Sequence, residues 1–159
     1  MGKKYIAKNK IISAAIVLMS SYFIYRLMTK EIPLWPPITT INYNGKAVDT
    51  SLGDYNWISK NGGSSYETEG EYSVGLTTSR FDAKAGDIIH ISISAKPKNV
   101  RIWQKFDGDY YSKEYKISKE GKDYIFKLPT EKGEYVFNVF ANWDNYDHNT
   151  STIFRVQVK

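Results

Sequence analysis

The sequence predicts an all-β protein: an antiparallel β-sandwich over residues 39–159, preceded by one N-terminal transmembrane helix. Three observations carry this. Short segments rich in β-branched and aromatic residues recur at intervals of about ten residues, with turn-forming residues between them. The clearest of these, Gly133–Trp143, alternates with period two. Tyr135, Phe137, Val139 and Ala141 are uniformly apolar, while Val136, Asn138, Phe140 and Asn142 are mixed, the pattern of a strand with one buried face. An apolar run, Ile11–Met28, stands alone ahead of all of them.

Residues 1–10 form a basic tail with Lys3, Lys4, Lys8 and Lys10. Residues 11–28 as a helix would span roughly 27 Å at about 1.5 Å per residue, enough for a hydrocarbon core. The lysines before the run keep the amino terminus cytoplasmic and send the rest across. Arg26 snorkels to the outer interface, and Tyr22, Tyr25 and Trp35 suit an aromatic belt. A cleaved signal peptide would carry small residues after the run, whereas this chain reads Tyr-Phe-Ile-Tyr-Arg-Leu-Met. The expectation is therefore a retained single-pass anchor in the cell membrane, with the C-terminal domain outside. In the linker, residues 29–38, Pro33, Pro36 and Pro37 prevent helix continuation and favour a stiff extended spacer.

Within the domain, Thr40–Tyr43, Asn44-Gly45 and Lys46–Asp49 read as a hairpin with a two-residue turn. Asp54–Ile58 reads as a short strand, Asn61-Gly-Gly-Ser-Ser65 as a flexible loop, and Glu67, Glu69 and Glu71 as an acidic rim. Tyr72–Thr78 is expected as a strand. Asp87–Ala95, Val100–Phe106, Tyr115–Ile117, Tyr124–Leu128 and Thr152–Val158 complete the set, with Ile89, Ile91 and Ile93, then Phe154, Val156 and Val158, on single faces.

The segments Ile89-x-Ile-x-Ile, Val100-Arg-Ile-Trp103, Leu128-Pro129 and Gly133-Glu-Tyr135-Val-Phe137 resemble the immunoglobulin/fibronectin-III class of sandwiches. Leu-Pro followed by Gly-x-Tyr looks like a tyrosine corner, whose hydroxyl bonds backbone upstream. Two residues after that tyrosine, where antibody domains place a cysteine, stands Phe137, so packing replaces the inter-sheet bridge. Leu52–Lys159 also resembles small envelope-anchored domains of Gram-positive bacteria that have no assigned function. Those read Gly-x-Tyr-Cys-Trp where this chain has Gly53-Asp-Tyr-Asn56-Trp57. The abundance of Lys, Ile, Asn and Tyr agrees with AT-rich codons.

The net charge of +5 does not point to nucleic acid. Residues 1–30 hold six Lys and Arg and no Asp or Glu, and the remaining sixteen cations face seventeen anions. The absence of cysteine removes disulfides, thiolate catalysis and Cys-ligated zinc. His90 alternates with isoleucines on a strand. His148 lies in the loop Asp144–Asn149, where it could assist a site. The two histidines have no metal-ligand spacing, and Asp107-Gly-Asp109 reads as a turn. No Ser-His-Asp spacing or phosphate loop is present, so neither enzyme chemistry nor a cofactor or metal is expected.

One feature points to binding. If Val100 and Ile102 face the core, Arg101, Trp103 and Lys105 face out, because the reverse would bury two cations. By the same parity Phe140 points out between Asn138 and Asn142, and Ile153 points out beside Arg155. Trp103, Phe140 and Ile153 would form an apolar stripe edged by Arg101, Lys105, Asn138, Asn142 and Arg155. Such stripes are binding faces when open; alternatively, residues 39–80 fold over this one and bury it. The expected function is a membrane-anchored extracytoplasmic binding module, with an envelope protein partner first and a carbohydrate or cell-wall polymer second.

Overall fold

The structure, a computed structural model, describes residues 16–22, 24–25, 32–59, 62–108, 112–144 and 147–159. The chain divides into two compact units, residues 1–34 and 35–159. In the first, residues 16–22 and 24–25 are helical. No helix among the described residues is long and apolar enough to cross a membrane. The rest of the expected span 11–28 and the basic tail lie outside the described residues. The described part of the linker, residues 32–38, has neither helix nor strand.

The second unit is built from β1 (Thr39–Tyr43), β2 (Lys46–Ala47), β3 (Ser51–Ser59), β4 (Gly62–Tyr66), helix α1 (Glu71–Thr77), β5 (Arg80–Ala83), β6 (Ile88–Ile93), β7 (Asn99–Lys105), β8 (Ser112–Tyr115), β9 (Ile117–Glu120), β10 (Asp123–Lys127), β11 (Gly133–Asn142) and β12 (His148–Val158). A smaller sheet runs β2-β1-β6-β10-β9, and a larger one β4-β3-β12-β11-β7-β8. All these pairings are antiparallel. The parallel strand β5 lies beside the C-terminal part of β12, with Arg155 opposite Arg80 and Val158 opposite Ala83. Strand β3 takes the other half of the same β12 edge, from His148 opposite Trp57 to Ile153 opposite Ser51. The chain changes sheets between Tyr115 and Ile117.

Period-two alternation places the core where the sequence predicts. Phe137, Val139 and Ala141 of β11 are fully buried, as are Ile89 and Ile91 of β6, Phe126 of β10, and Phe154, Val156 and Val158 of β12. Phe137 sits at the centre, its ring 4.9 Å from Phe126 on the opposite sheet and 5.3 Å from Phe154. Burial of these three rings joins the two sheets through apolar area, each contributing about 1.5–3 kcal/mol. The Tyr135 hydroxyl donates to the Glu131 carbonyl at 2.9 Å, and burial pushes its pKa up. In the first hairpin Asn44 and Gly45 have φ of 50° and 75°, the primed turn that matches strand twist.

Two expectations are corrected. Gly62–Tyr66 pairs antiparallel with β3 as edge strand β4 rather than forming a loop; residues 60 and 61 lie outside the described set. Tyr72–Thr78, expected as a strand, falls almost entirely within α1. Its buried positions are Glu71, Gly75 and Thr78, which recur with the helical period. The residues that meet the sheet, Glu71, Gly75 and Thr78, are polar or small rather than apolar.

Candidate functional site

The outer face of the larger sheet carries all eight candidate residues, and register sets their neighbours. Val136 lies between Lys105 and Arg155, Asn138 between Trp103 and Ile153, and Phe140 between Arg101 and Ser151. Helix α1 covers one half of this face. A Cβ on Gly75 would meet Val136 Cγ1 at 2.2 Å, so glycine alone allows the helix to approach this closely. Under the helix, Ile153 is fully buried and Asn138 is 2% exposed. Both point outward, as strand parity requires, and are roofed by α1, so on this half the alternative holds in which residues 39–80 cover the stripe.

Two cations of the expected rim hold this roof down. Lys105 Nζ lies 2.7 Å from Glu71 Oε2, and the Ser151 hydroxyl donates to Glu71 Oε1 at 2.5 Å. Glu71 is thus not part of an acidic rim; it is 7% exposed and pairs with the half-buried Lys105. Gly53 makes room for it, since a Cβ there would come within 3.0 Å of Glu71 Oε1 and 2.4 Å of Ser151 Oγ. Arg155 donates to the Leu76 carbonyl in the last turn of α1 and to Glu134 Oε1 at 3.0 and 2.7 Å. The Arg155 hydrogen bonds, reinforced by Arg80, hold the Glu134 carboxyl below its ordinary range.

The other half of the face is open. Trp103 and Phe140 are half-buried, their ring centroids 5.6 Å apart at 47°. The exposed Arg101 guanidinium lies 6.0 Å from the Trp103 ring centroid. Beyond Phe140 the register brings four asparagines into one cross-strand row: Asn99 opposite Asn142, Asn142 opposite Asn149, and Asn149 opposite Asn56. Asn142 donates its amide to the Asp144 carbonyl at 2.8 Å, and Asn99 is the exposed end of the row. Sequence reading found Asn142 alone. Asn56 was legible only as a polar position on a short strand, and Asn99 and Asn149 lay outside the expected strands, because nothing in the sequence gives the register that aligns them.

The histidines stand apart from this face. His90 is exposed on the smaller sheet. His148 Nδ1 lies 2.5 Å from Asp144 Oδ2, with its ring 5.0 Å from that of Trp57. Burial would raise the Asp144 pKa, but the hydrogen bonds from the His148 side chain and from the His148 and Asp147 backbone prevail and lower it. Asp107 and Gly108 form a turn; residue 109 lies outside the described residues. Comparison of the chain with protein-family models, curated proteins and solved structures finds no match.

Proposed function

We propose that this chain is a membrane-anchored binding module outside the cytoplasm, with an immunoglobulin-like sandwich that takes a saccharide of the cell wall on the open half of its larger sheet. The strand order supports the immunoglobulin-like assignment. The smaller sheet contains the sequence β1-β6-β10-β9 and the larger one β12-β11-β7-β8, corresponding to the A-B-E-D and G-F-C layers of that class with one added strand. The Tyr135–Glu131 bond occupies the corner position. For the anchor, the support is the apolar run with its lysine flank. Ile16, Val17, Leu18, Met19 and Ile24 are all more than half exposed, and a helix apolar all round fits lipid better than water.

The observation that carries the ligand class is the Trp103–Phe140 pair on the same face as Asn99, the exposed end of the asparagine row. Aromatic faces stack on the C–H faces of sugar rings, and an amide offers one acceptor and two donors to hydroxyl pairs. Arg101 adds a charge-assisted donor for an acidic sugar or phosphate substituent. An apolar stripe alone would suit a protein partner; the exposed Asn99 amide and the Arg101 guanidinium favour saccharide. The test is retention of the full chain, in detergent, on purified wall glycan. Retention lost in Trp103→Ala and weakened in Asn99→Ala supports the reading. Equal retention of all three chains would overturn it, and efficient crosslinking of the Trp103 face to an integral membrane protein would favour a protein partner instead.

A further inference from the structure

A cleft of about 400 Å³ opens between the two sheets, lined by Pro36, Pro37 and Ile38 of the linker, Thr39 of β1, Thr50, Ser51, Leu52 and Tyr55 around β3, and Thr150 and Thr152 of β12. Its size falls within the range of small-molecule sites, about 300–1,000 Å³. No lining residue is charged.

Two polar atoms there have no hydrogen-bond partner among the described residues: Thr39 Oγ1 and Thr150 Oγ1. Thr39 is 8% exposed and Thr150 3%. Thr39 shares a face of β1 with the fully buried Ile41, and Thr150 lies opposite the fully buried Ala141. Both threonines therefore lie on the inner faces of opposing sheets, along the wall of the cleft. A buried hydroxyl without a partner is unfavourable, and two lining one cleft define a polar end for whatever fills it. Toward the solvent the lining includes the apolar Ile38 and Leu52, 73% and 53% exposed.

We infer that this cleft binds a neutral amphiphile, an apolar chain bearing a hydroxyl, with the hydroxyl bridging Thr39 and Thr150 and the chain leaving past Ile38 and Leu52. A hydroxyl donates to one threonine and accepts from the other, which satisfies both. A carboxylate or ammonium head would be buried beside no counter-charge and is excluded on that ground. The membrane is the natural source, because the lining begins at Pro36, eight residues after Met28. Eight residues reach at most about 29 Å even when fully extended. That source rests on the anchor reading; the cleft and its ligand class do not, and neither depends on the saccharide face.

The experiment uses the full chain in phosphatidylcholine nanodiscs with a diazirine-bearing hexadecanol as probe, followed by peptide mapping of the photolabel. The expected label falls on peptides spanning residues 36–39, 50–55 and 150–152, and hexadecanol competes it while palmitate does not. Thr39→Val and Thr150→Val each lower apparent affinity, by about tenfold for the loss of one well-made hydrogen bond, without lowering the unfolding midpoint. Leu52→Trp, a change at the exposed rim, blocks labelling should either threonine variant fold poorly. Label confined to other peptides would overturn the inference, as would cleft label that palmitate competes equally or that none of the three substitutions reduces. Trp103→Ala leaves the label unchanged, so failure here is distinct from failure of the saccharide reading. The same cleft label on a chain that washes off the nanodiscs would remove the anchor and leave the ligand class standing.

Discussion

The two halves of the larger sheet's outer face come from the same three strands, with the same alternation, and end in opposite states. On one half Val136, Asn138, Ser151 and Ile153 are buried; on the other Arg101, Trp103, Phe140 and Asn142 reach solvent. The difference is seven residues of helix. Where Glu71 finds Lys105 and Ser151, and Gly75 lets the backbone settle on Val136, the face becomes a second small core. Past the reach of α1 the aromatic residues remain available. Outward-pointing and exposed are thus separate properties: strand parity decides the first, and a distant segment decides the second.

The comparison can be broken first at the clamp. Glu71→Ala leaves Lys105 and the Ser151 hydroxyl without their acceptor. Because Lys105 keeps some solvent, the loss should fall toward the lower end of the about 3–5 kcal/mol for a broken buried pair; chemical denaturation of the full chain should show it together with new exposure of Ile153. A change below about 1 kcal/mol, near the range of surface substitutions, would mean that the roof is not held by charge. Next, Ile153→Ala empties a fully buried site and should destabilise by about 2–5 kcal/mol.

Gly75→Val tests how closely the helix must approach. The added side chain overlaps Val136 and should cost about 1–3 kcal/mol, the usual penalty of overpacking. Trp103→Ala, on the open half, removes a half-exposed ring and its contact with Phe140. Here the expected loss is only about 0.5–1.5 kcal/mol, below that of Ile153→Ala in the same denaturation series. Equal losses would erase the distinction between the halves.

The smallest effect is pH-dependent. Arg155 and then Arg80 hold the Glu134 carboxyl below its ordinary range, so its contribution is present above the unfolded-state value near 4.3. It is lost as pH falls through the lower folded value. The melting midpoint of Glu134→Gln should lie below that of the wild type at neutral pH and converge with it in acid. A gap that widens on acidification would contradict the ion-pair account.

Much of the strand framework was legible because alternation is local and the core is apolar. Phe137, Ile89, Ile91 and Phe154 identify their own faces from neighbours two residues away. The hairpin at Asn44-Gly45 and the corner at Tyr135 were legible for the same reason, since each is specified within a few residues. Helix α1 was not, because its buried stripe of Glu71, Gly75 and Thr78 is polar or small and hydrophobic periodicity cannot see it. The strand β4 was hidden by Gly-Gly-Ser-Ser, a composition that reads as a loop unless β3 supplies its hydrogen bonds.

For the face itself, the sequence alone determined which side chains point outward, because burying Arg101 and Lys105 without partners would cost too much. Only the tertiary structure decided which of them stay exposed. It also set the register that aligns Asn99, Asn142, Asn149 and Asn56 across four strands, and it brought Glu71 to Lys105. These outcomes depend on contacts between segments far apart in the chain, and each strand's own alternation is equally compatible with a covered or an open face.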